Sequence, residues 1–86
     1  MHDAAETYAI LRLPEVLRLR GRGKTAHYSD IEEGLFTRPV AIGTRAVGWP
    51  EHEVIQLNRA RIAGKTDDEI RALVAALETQ RTTLAA

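Results

Sequence analysis

Three glycines, Gly21, Gly23 and Gly34, constrain this chain more than any other feature of its sequence. Gly21 follows a short apolar pattern that begins near Pro14, and Gly34 follows a segment that begins at Lys24. Proline is favoured in the first turn of a helix, and glycine just beyond its end, where a left-handed backbone is needed. The spacing predicts two short helices joined by a tight turn, with Gly23 as N-cap of the second. Such a corner is a helix-turn-helix pattern.

The next segment changes to the two-residue period of β-strands. Two short runs, residues 38–42 and 45–49, flank a Gly-Thr pair at Gly43, which suits a two-residue hairpin loop. In that register Val40 is expected opposite Val47. The sequence therefore predicts a β-ribbon.

The ribbon needs support, because an isolated two-stranded hairpin is marginal in water. Ile42 and Trp49 are expected on one apolar face that packs on the helices, with Trp49 as its anchor. The apolar stretch at residues 8–13 suggests a small additional strand before the first helix.

Two further helices are predicted after the ribbon. Pro50 opens the third, and Gly64 ends it. Thr66 with Glu69 three residues later makes a capping box for the fourth. That helix carries an apolar stripe at helical spacing, formed by Ile70, Leu73, Val74 and Leu77. Two uses of the stripe are open: it folds back on the domain, or it pairs with a second subunit in a homodimer or oligomer.

Helix, turn, helix, β-ribbon and helix is the element order of a small winged helix-turn-helix. We therefore predict a mainly α fold with a small β-ribbon and about four helices. The expected organisation has four parts. Residues 1–7 form a flexible N-terminus, and residues 8–64 form the winged helix-turn-helix domain. Residues 65–81 form a C-terminal helix, and residues 82–86 form a flexible tail.

Several function classes are disfavoured by the sequence. Neither Gly-Lys-Thr tripeptide fits a phosphate-binding loop, because the required glycine five residues earlier is replaced by Arg18 or Arg59. The chain has no cysteine, and its three histidines lack metal-ligand spacing. No acid/base pair or nucleophile context is present either. We therefore expect no enzyme, no metal, no cofactor and no small-molecule ligand. No apolar run is long enough to span a bilayer, and no signal pattern occurs, so a cytoplasmic protein without membrane contact is expected.

The distribution of charge is more informative than its sum, which is zero. Four basic residues and no acid occur between positions 16 and 28: Arg18, Arg20, Arg22 and Lys24. The acids cluster elsewhere, at Asp30, Glu32 and Glu33 and near the starts of the later helices. This segregation is compatible with a basic face on a neutral molecule, and equally with an ordinary mixed surface.

The segment from Leu11 to Val54 resembles the AlpA-type phage and prophage regulators, small DNA-binding proteins related to excisionases and more distantly to MerR regulators. The resemblance rests on "RLPEV", the Gly21 turn, Tyr-x-x-Ile-x-x-Gly from Tyr28 to Gly34, and "PVAIGTRAVGW" running into a helix. It implies a regulator of mobile-element genes, sometimes with a role in excision. It also implies base-reading residues on the second helix and backbone contacts from the ribbon.

Nine residues are expected to contact double-stranded DNA. Five lie on the second helix: Lys24 for a guanine edge or phosphate, Thr25 and Ser29 for hydrogen bonds, Ala26 for a thymine methyl, and Tyr28, which packs inward and offers its hydroxyl. The phosphate candidates are Arg20 and Arg22 in the turn and Arg38 and Arg45 in the ribbon. Ordinary solvated surface is the competing interpretation for the other eight residues, and a purely core role is the competing interpretation for Tyr28.

The chain also departs from the family pattern. Gly23 stands where a serine is usual, and Glu32-Glu33 stands where a lysine is often found. The second helix is therefore short of positive charge: either its acidic end tilts out of the DNA groove, or DNA binding is weak or absent. Three functions follow as hypotheses: a sequence-specific transcriptional regulator of a phage-derived or integrative element, an excisionase-like DNA-bending factor, or a protein–protein adaptor on a winged-helix scaffold.

Overall fold

The computed structural model describes residues 8–85. Its elements are β1 (Ile10–Leu11), α1 (Leu13–Arg20), α2 (Lys24–Glu32), β2 (Val40–Ala41), β3 (Val47–Pro50), α3 (Glu51–Ile62), α4 (Asp67–Gln80) and a 3-10 turn (Arg81–Thr83). Four helices surround a small antiparallel sheet, which confirms the predicted winged helix-turn-helix. The flexible N-terminus predicted at residues 1–7 lies outside the described residues. Within residues 8–85, no helix is long and apolar enough to cross a membrane.

The corner between α1 and α2 forms as the glycines predict. Gly21 has a φ of 65°, in the left-handed region, and its N–H donates to the carbonyl oxygen of Leu17 at 2.9 Å. Gly23 is the N-cap of α2, and Gly34 has a φ of 77° just beyond the end of that helix. Because side chains with a Cβ disfavour this backbone region, both ends are fixed by local chemistry.

The hairpin register differs from the prediction by one residue. Val40 pairs with Gly48, not with Val47, and the N–H of Ile42 donates to the carbonyl oxygen of Ala46 at 2.8 Å. The turn therefore spans three residues, 43–45, and not two. Since β2 contains only two residues, it contributes too few side-chain contacts to fix the register by itself.

A close approach at Gly48 explains the observed register. β3 is the central strand, with β1 on one side and β2 on the other. A Cβ at Gly48 would lie 2.5 Å from Ile10 Cγ2 and 3.6 Å from Ile42 Cδ1, so both isoleucines lie over the glycine. Ile42 is 42% exposed while Trp49 is fully buried. The prediction that Ile42 and Trp49 share the buried face is therefore wrong.

The core lies between the inner face of the sheet and the helices. Trp49 anchors it, and its indole N–H donates to the carbonyl oxygen of Thr37 at 2.9 Å. The buried hydrophobic residues are Val16, Leu35, Phe36, Trp49, Val54, Leu57, Ile70, Val74 and Leu77. Ile70, Val74 and Leu77 belong to the apolar stripe of α4. That helix begins with the predicted capping box at Thr66. The stripe is therefore used inside the chain, where α4 packs on α3.

A buried ion pair fastens the C-terminal segment to the domain. Arg81 donates two hydrogen bonds of 2.7 Å to the carboxylate of Glu53, which is fully buried near the start of α3. Arg81 also donates to the carbonyl oxygen of Arg38 at 2.7 Å, just before the ribbon. The 3-10 turn thus extends secondary structure into the segment predicted to be a flexible tail.

Candidate nucleic-acid interface

The amino end of α2 is open to solvent. Gly23, Lys24, Thr25 and Ser29 are exposed, and a Cβ built on Gly23 would meet no atom within 4 Å other than those of its neighbours along the chain. No side chain caps the helix, and its first turn contains no acid. Unpaired N–H groups at a helix start favour anions such as phosphate. Ala26, predicted to contact a thymine methyl, is half-buried.

Lys24 differs from the other cations of the basic run. Among the described residues it has no ion pair, whereas Arg18 pairs with Glu15 and both Arg20 and Arg22 pair with Asp30. The lysine ammonium is therefore available to a ligand without breaking an internal contact.

The acid in the middle of α2 is turned into the molecule. Asp30 accepts a 2.8 Å hydrogen bond from Arg20 and bonds of 2.8 and 3.1 Å from Arg22, and only 9% of its side chain is exposed. Burial raises the pKa of Asp30, but the hydrogen bonds from the two arginines outweigh it and hold the pKa below its ordinary value. Asp30 is therefore a paired carboxylate that presents little negative charge to a ligand on α2.

Arg20 lies inside the corner, where it does not face solvent. Only 6% of its side chain is exposed, and its guanidinium lies 4.0 Å from the centroid of the Phe36 ring. One nitrogen contacts Asp30, and another contacts His27 Nδ1 at 2.8 Å. The candidate surface therefore does not include Arg20, which was predicted to contact phosphate. Arg22 keeps an exposed outer side, since 44% of its side chain remains accessible.

His27 completes this cluster as a neutral side chain. Burial and then the charge of Arg20 lower the pKa of His27 to about 4. Because the Arg20 guanidinium can only donate, His27 Nδ1 accepts, and the imidazole proton is assigned to Nε2. The ring meets those of Tyr28, Phe36 and Trp49 edge-on, at centroid distances of 4.9 to 5.2 Å. His27 therefore belongs to the core of the corner.

Tyr28 connects α2 to the base of the ribbon. Its ring centroid lies 6.4 Å from that of Trp49 in β3, and 36% of the residue stays exposed. This position combines inward packing with partial access to solvent, as the sequence suggests.

The two arginines predicted to contact phosphate from the ribbon, Arg38 and Arg45, differ in their contacts within the chain. Arg45 is exposed in the turn and has no ion pair among the described residues. The Arg38 side chain is 76% exposed, but its guanidinium lies 3.7 Å from Glu78 and its backbone N–H donates to Glu78 at 2.8 Å. Arg38 is therefore held against α4, while the Arg45 charge is free in solvent.

Arg12 is an exposed cation that the sequence reasoning missed. It lies between β1 and α1, and its Nε donates to the carbonyl oxygen of Val47 at 3.0 Å. Because the two residues are 35 positions apart, no local pattern signals this contact. Within residues 8–85, no group of His, Asp and Glu side chains is arranged to hold a metal ion.

Two comparisons with known proteins relate this chain to phage and prophage proteins. A family model described as prophage CP4-57 regulatory protein (AlpA) matches residues 9–62, a range that includes the corner, the ribbon and α3. An uncharacterized protein, ORF88 of Enterobacteria phage P4, is 38% identical over 55 residues. The match covers 64% of this chain and 62% of that protein, so the chain spans less than two thirds of the relative's length. No solved structure matches the chain.

Proposed function

The chain belongs to the phage regulatory family of AlpA, and from this premise we propose that it is a sequence-specific DNA-binding transcriptional regulator of a phage-derived or integrative element. The observation that carries the proposal is the division of α2 into two parts. Its amino end presents Lys24, Thr25 and Ser29 to solvent, while Asp30 is turned inward against two arginines. A helix start without nearby acid and with free donors suits the edge of a DNA groove.

In the proposed complex, the first turns of α2 enter the major groove. Lys24 donates to a guanine edge or a phosphate, and the hydroxyls of Thr25 and Ser29 hydrogen-bond to bases or backbone. The half-buried Ala26 has less access than its neighbours, so we give it a minor role, as a methyl contact to thymine. The Tyr28 hydroxyl reaches a phosphate from the junction between α2 and β3.

The ribbon supplies contacts that do not depend on sequence. Arg45 in the turn binds phosphate or the neighbouring minor groove, and Arg38 adds a second positive charge at the base of the ribbon. Arg22 contributes only its exposed side, because its guanidinium already holds Asp30. An excision role would use the same surface, with the ribbon assisting DNA bending.

Salt titration tests the proposal directly. Genomic fragments captured on the purified protein supply a selected duplex, and fluorescence anisotropy then measures its affinity and that of a random duplex at increasing salt. We expect the affinity to fall linearly in log salt with a slope of about 3 to 5, set by the phosphates neutralised. A protein with no measurable affinity for either duplex at low salt is not a DNA-binding regulator, and the adaptor hypothesis would replace this one.

Two substitutions separate base reading from backbone contact. Lys24→Ala should weaken binding more at the selected site than at random duplex, because its amino group contacts a base edge there. Arg45→Ala should weaken binding to both duplexes equally and reduce the salt slope by about 1. The matched controls are Lys65→Ala and Arg59→Ala, exposed cations outside the proposed surface. Equal losses at both duplexes for Lys24→Ala would make that lysine a phosphate contact only.

A further inference from the structure

A groove beside the corner shares only Arg22 with the proposed DNA surface. It has a volume of about 570 Å³ and lies between the end of α1, the end of α3 and the start of α4. Leu19 and Leu35 supply apolar wall, and Ile62 stands at its edge. Ile62 is 86% exposed, the highest value for a large hydrophobic side chain among the described residues. A concave surface with an apolar wall and several charged lining residues therefore lies beside a protruding apolar side chain on one face of the molecule.

Charges of both signs surround this groove. Arg22 and Arg61 line it with side chains 44% and 43% exposed, and each pairs with a carboxylate, Asp30 or Asp67. Asp68, the next residue of α4, does not line the groove, but its side chain is 94% exposed. DNA or another polyanion would meet the carboxylates of α4, and a polycation would meet the guanidiniums. The groove therefore fits a partner that carries an apolar knob together with both signs of charge.

The surface of this chain around Ile62 has that composition. We propose that the groove is a self-association site in which Ile62 of one copy enters the groove of a second copy. A two-fold dimer requires the knob and the hole to lie on the same patch, so that each copy gives and receives the same contact. The Arg61 and Asp67 side chains of one copy then face those of the other. An apolar centre with a charged rim is the usual anatomy of a protein interface.

The proposed association does not depend on DNA binding, and the small area of the contact limits its affinity. The contact involves only the ends of three helices, so association should be weak in dilute solution and increase with protein concentration. On DNA, two copies bound at neighbouring sites would associate more readily, because their effective concentration is raised.

Sedimentation equilibrium tests the proposal without DNA. The average mass of the wild-type chain should rise from 9.5 kDa toward twice that value as concentration increases. Ile62→Gln should remain at the monomer mass, with its helical circular dichroism unchanged because the side chain is exposed. Ile55→Gln is the matched control, since Ile55 lies on the same helix, is 46% exposed and does not line the groove. It should associate as the wild type does.

Cross-linking adds a positive test, because the chain contains no cysteine. An equimolar mixture of Leu19→Cys and Ile62→Cys chains should form a disulfide-linked heterodimer on mild oxidation, and a mixture of Leu19→Cys and Ile55→Cys should not. The proposal is overturned by a wild-type chain that stays monomeric at every concentration, by an Ile62→Gln chain that associates like the wild type, or by equal cross-linking in both mixtures.

Discussion

The corner and the wing of this domain are stabilised by different interactions, although both carry arginines. The corner comprises Arg20, Arg22, His27, Asp30 and Phe36. Its charges are hydrogen-bonded to one another, and those of Arg20 and Asp30 are buried. The wing comprises residues 40–50, and it is held by strand pairing and by isoleucines packed over a glycine. Positive charge is therefore structural in the corner and free in the wing, so a count of cations along the sequence does not locate a DNA surface.

The basic run at residues 18–24 illustrates the point. Three of its four cations pair with carboxylates of this chain, and Lys24 is the one without an ion pair among the described residues. The partner of two of them, Asp30, follows at a distance of 8 to 10 residues. An arginine that already pairs with an acid of its own chain is less available to DNA than one that is free in solvent.

The largest expected effect breaks the corner. Asp30→Asn keeps the shape of the side chain but removes the charge that compensates the buried Arg20 guanidinium. We expect a loss of about 3–5 kcal/mol in the free energy of unfolding, measured by urea denaturation, because breaking a buried pair leaves one charge unpaired. Asp68→Asn, in an exposed pair with Arg71, should leave the denaturation midpoint unchanged. Equal midpoints for the two variants would show that the corner is not held by its charges.

The next largest effect is expected from a substitution that adds volume to the wing without changing its charge. Gly48→Ala places a Cβ 2.5 Å from Ile10 Cγ2 and 2.9 Å from the carbonyl oxygen of Leu11, which belongs to the backbone. Overpacking of this kind should cost about 1–3 kcal/mol in urea denaturation. At Gly43 the nearest side-chain atom would be 3.5 Å away, an ordinary contact, so Gly43→Ala is the matched control. A Gly48→Ala variant as stable as the wild type would show that the neighbouring strand accommodates the methyl group, and that this close approach does not hold the register.

A smaller effect is the pH dependence of the free energy of unfolding, which we expect to arise in the corner and not in the wing. His27 is neutral in the folded chain because its pKa is lowered from 6.5 to about 4. The unfolded chain therefore binds the proton more readily between these values. The stabilising contribution of neutral His27 is complete above pH 6.5 and is lost as the pH falls toward 4.

We expect the free energy of unfolding to decrease by roughly 2 kcal/mol between about pH 7 and about pH 5. His27→Gln should lack most of this dependence, while Gly48→Ala should keep it, since the wing contributes no buried histidine to the effect. Chemical denaturation of the three proteins at both pH values supplies the measurement. An identical decrease in the His27→Gln variant would assign the dependence to other groups.

The sequence was sufficient wherever local chemistry decides the structure. Gly21 and Gly34 ended their helices, Thr66 and Glu69 formed their capping box, and the stripe that includes Ile70 and Leu77 faced the core. Each of these features depends on residues within one or two helical turns, so the pattern is visible in a short window.

Contacts between distant residues could not be predicted in the same way. The hairpin register depends on Ile10, which packs over Gly48 from a strand 38 positions earlier in the chain. Asp30 appears in the sequence as part of an acidic helix end, and only the folded corner shows that two arginines enclose it. Glu53 looks like an ordinary acid in a first helical turn, whereas the structure buries it against Arg81. Polar residues that are buried by a remote partner have no local signature.

The Glu53–Arg81 pair also has a consequence for synthesis of the protein. The two residues are 28 positions apart, which corresponds to roughly one to six seconds of translation at about 5–20 residues per second. Throughout that interval the nascent chain carries a carboxylate destined for the interior without the guanidinium that neutralises it. We therefore expect α3 to reach its final position only after Arg81 has left the ribosome, so that the last step of folding follows the synthesis of α4.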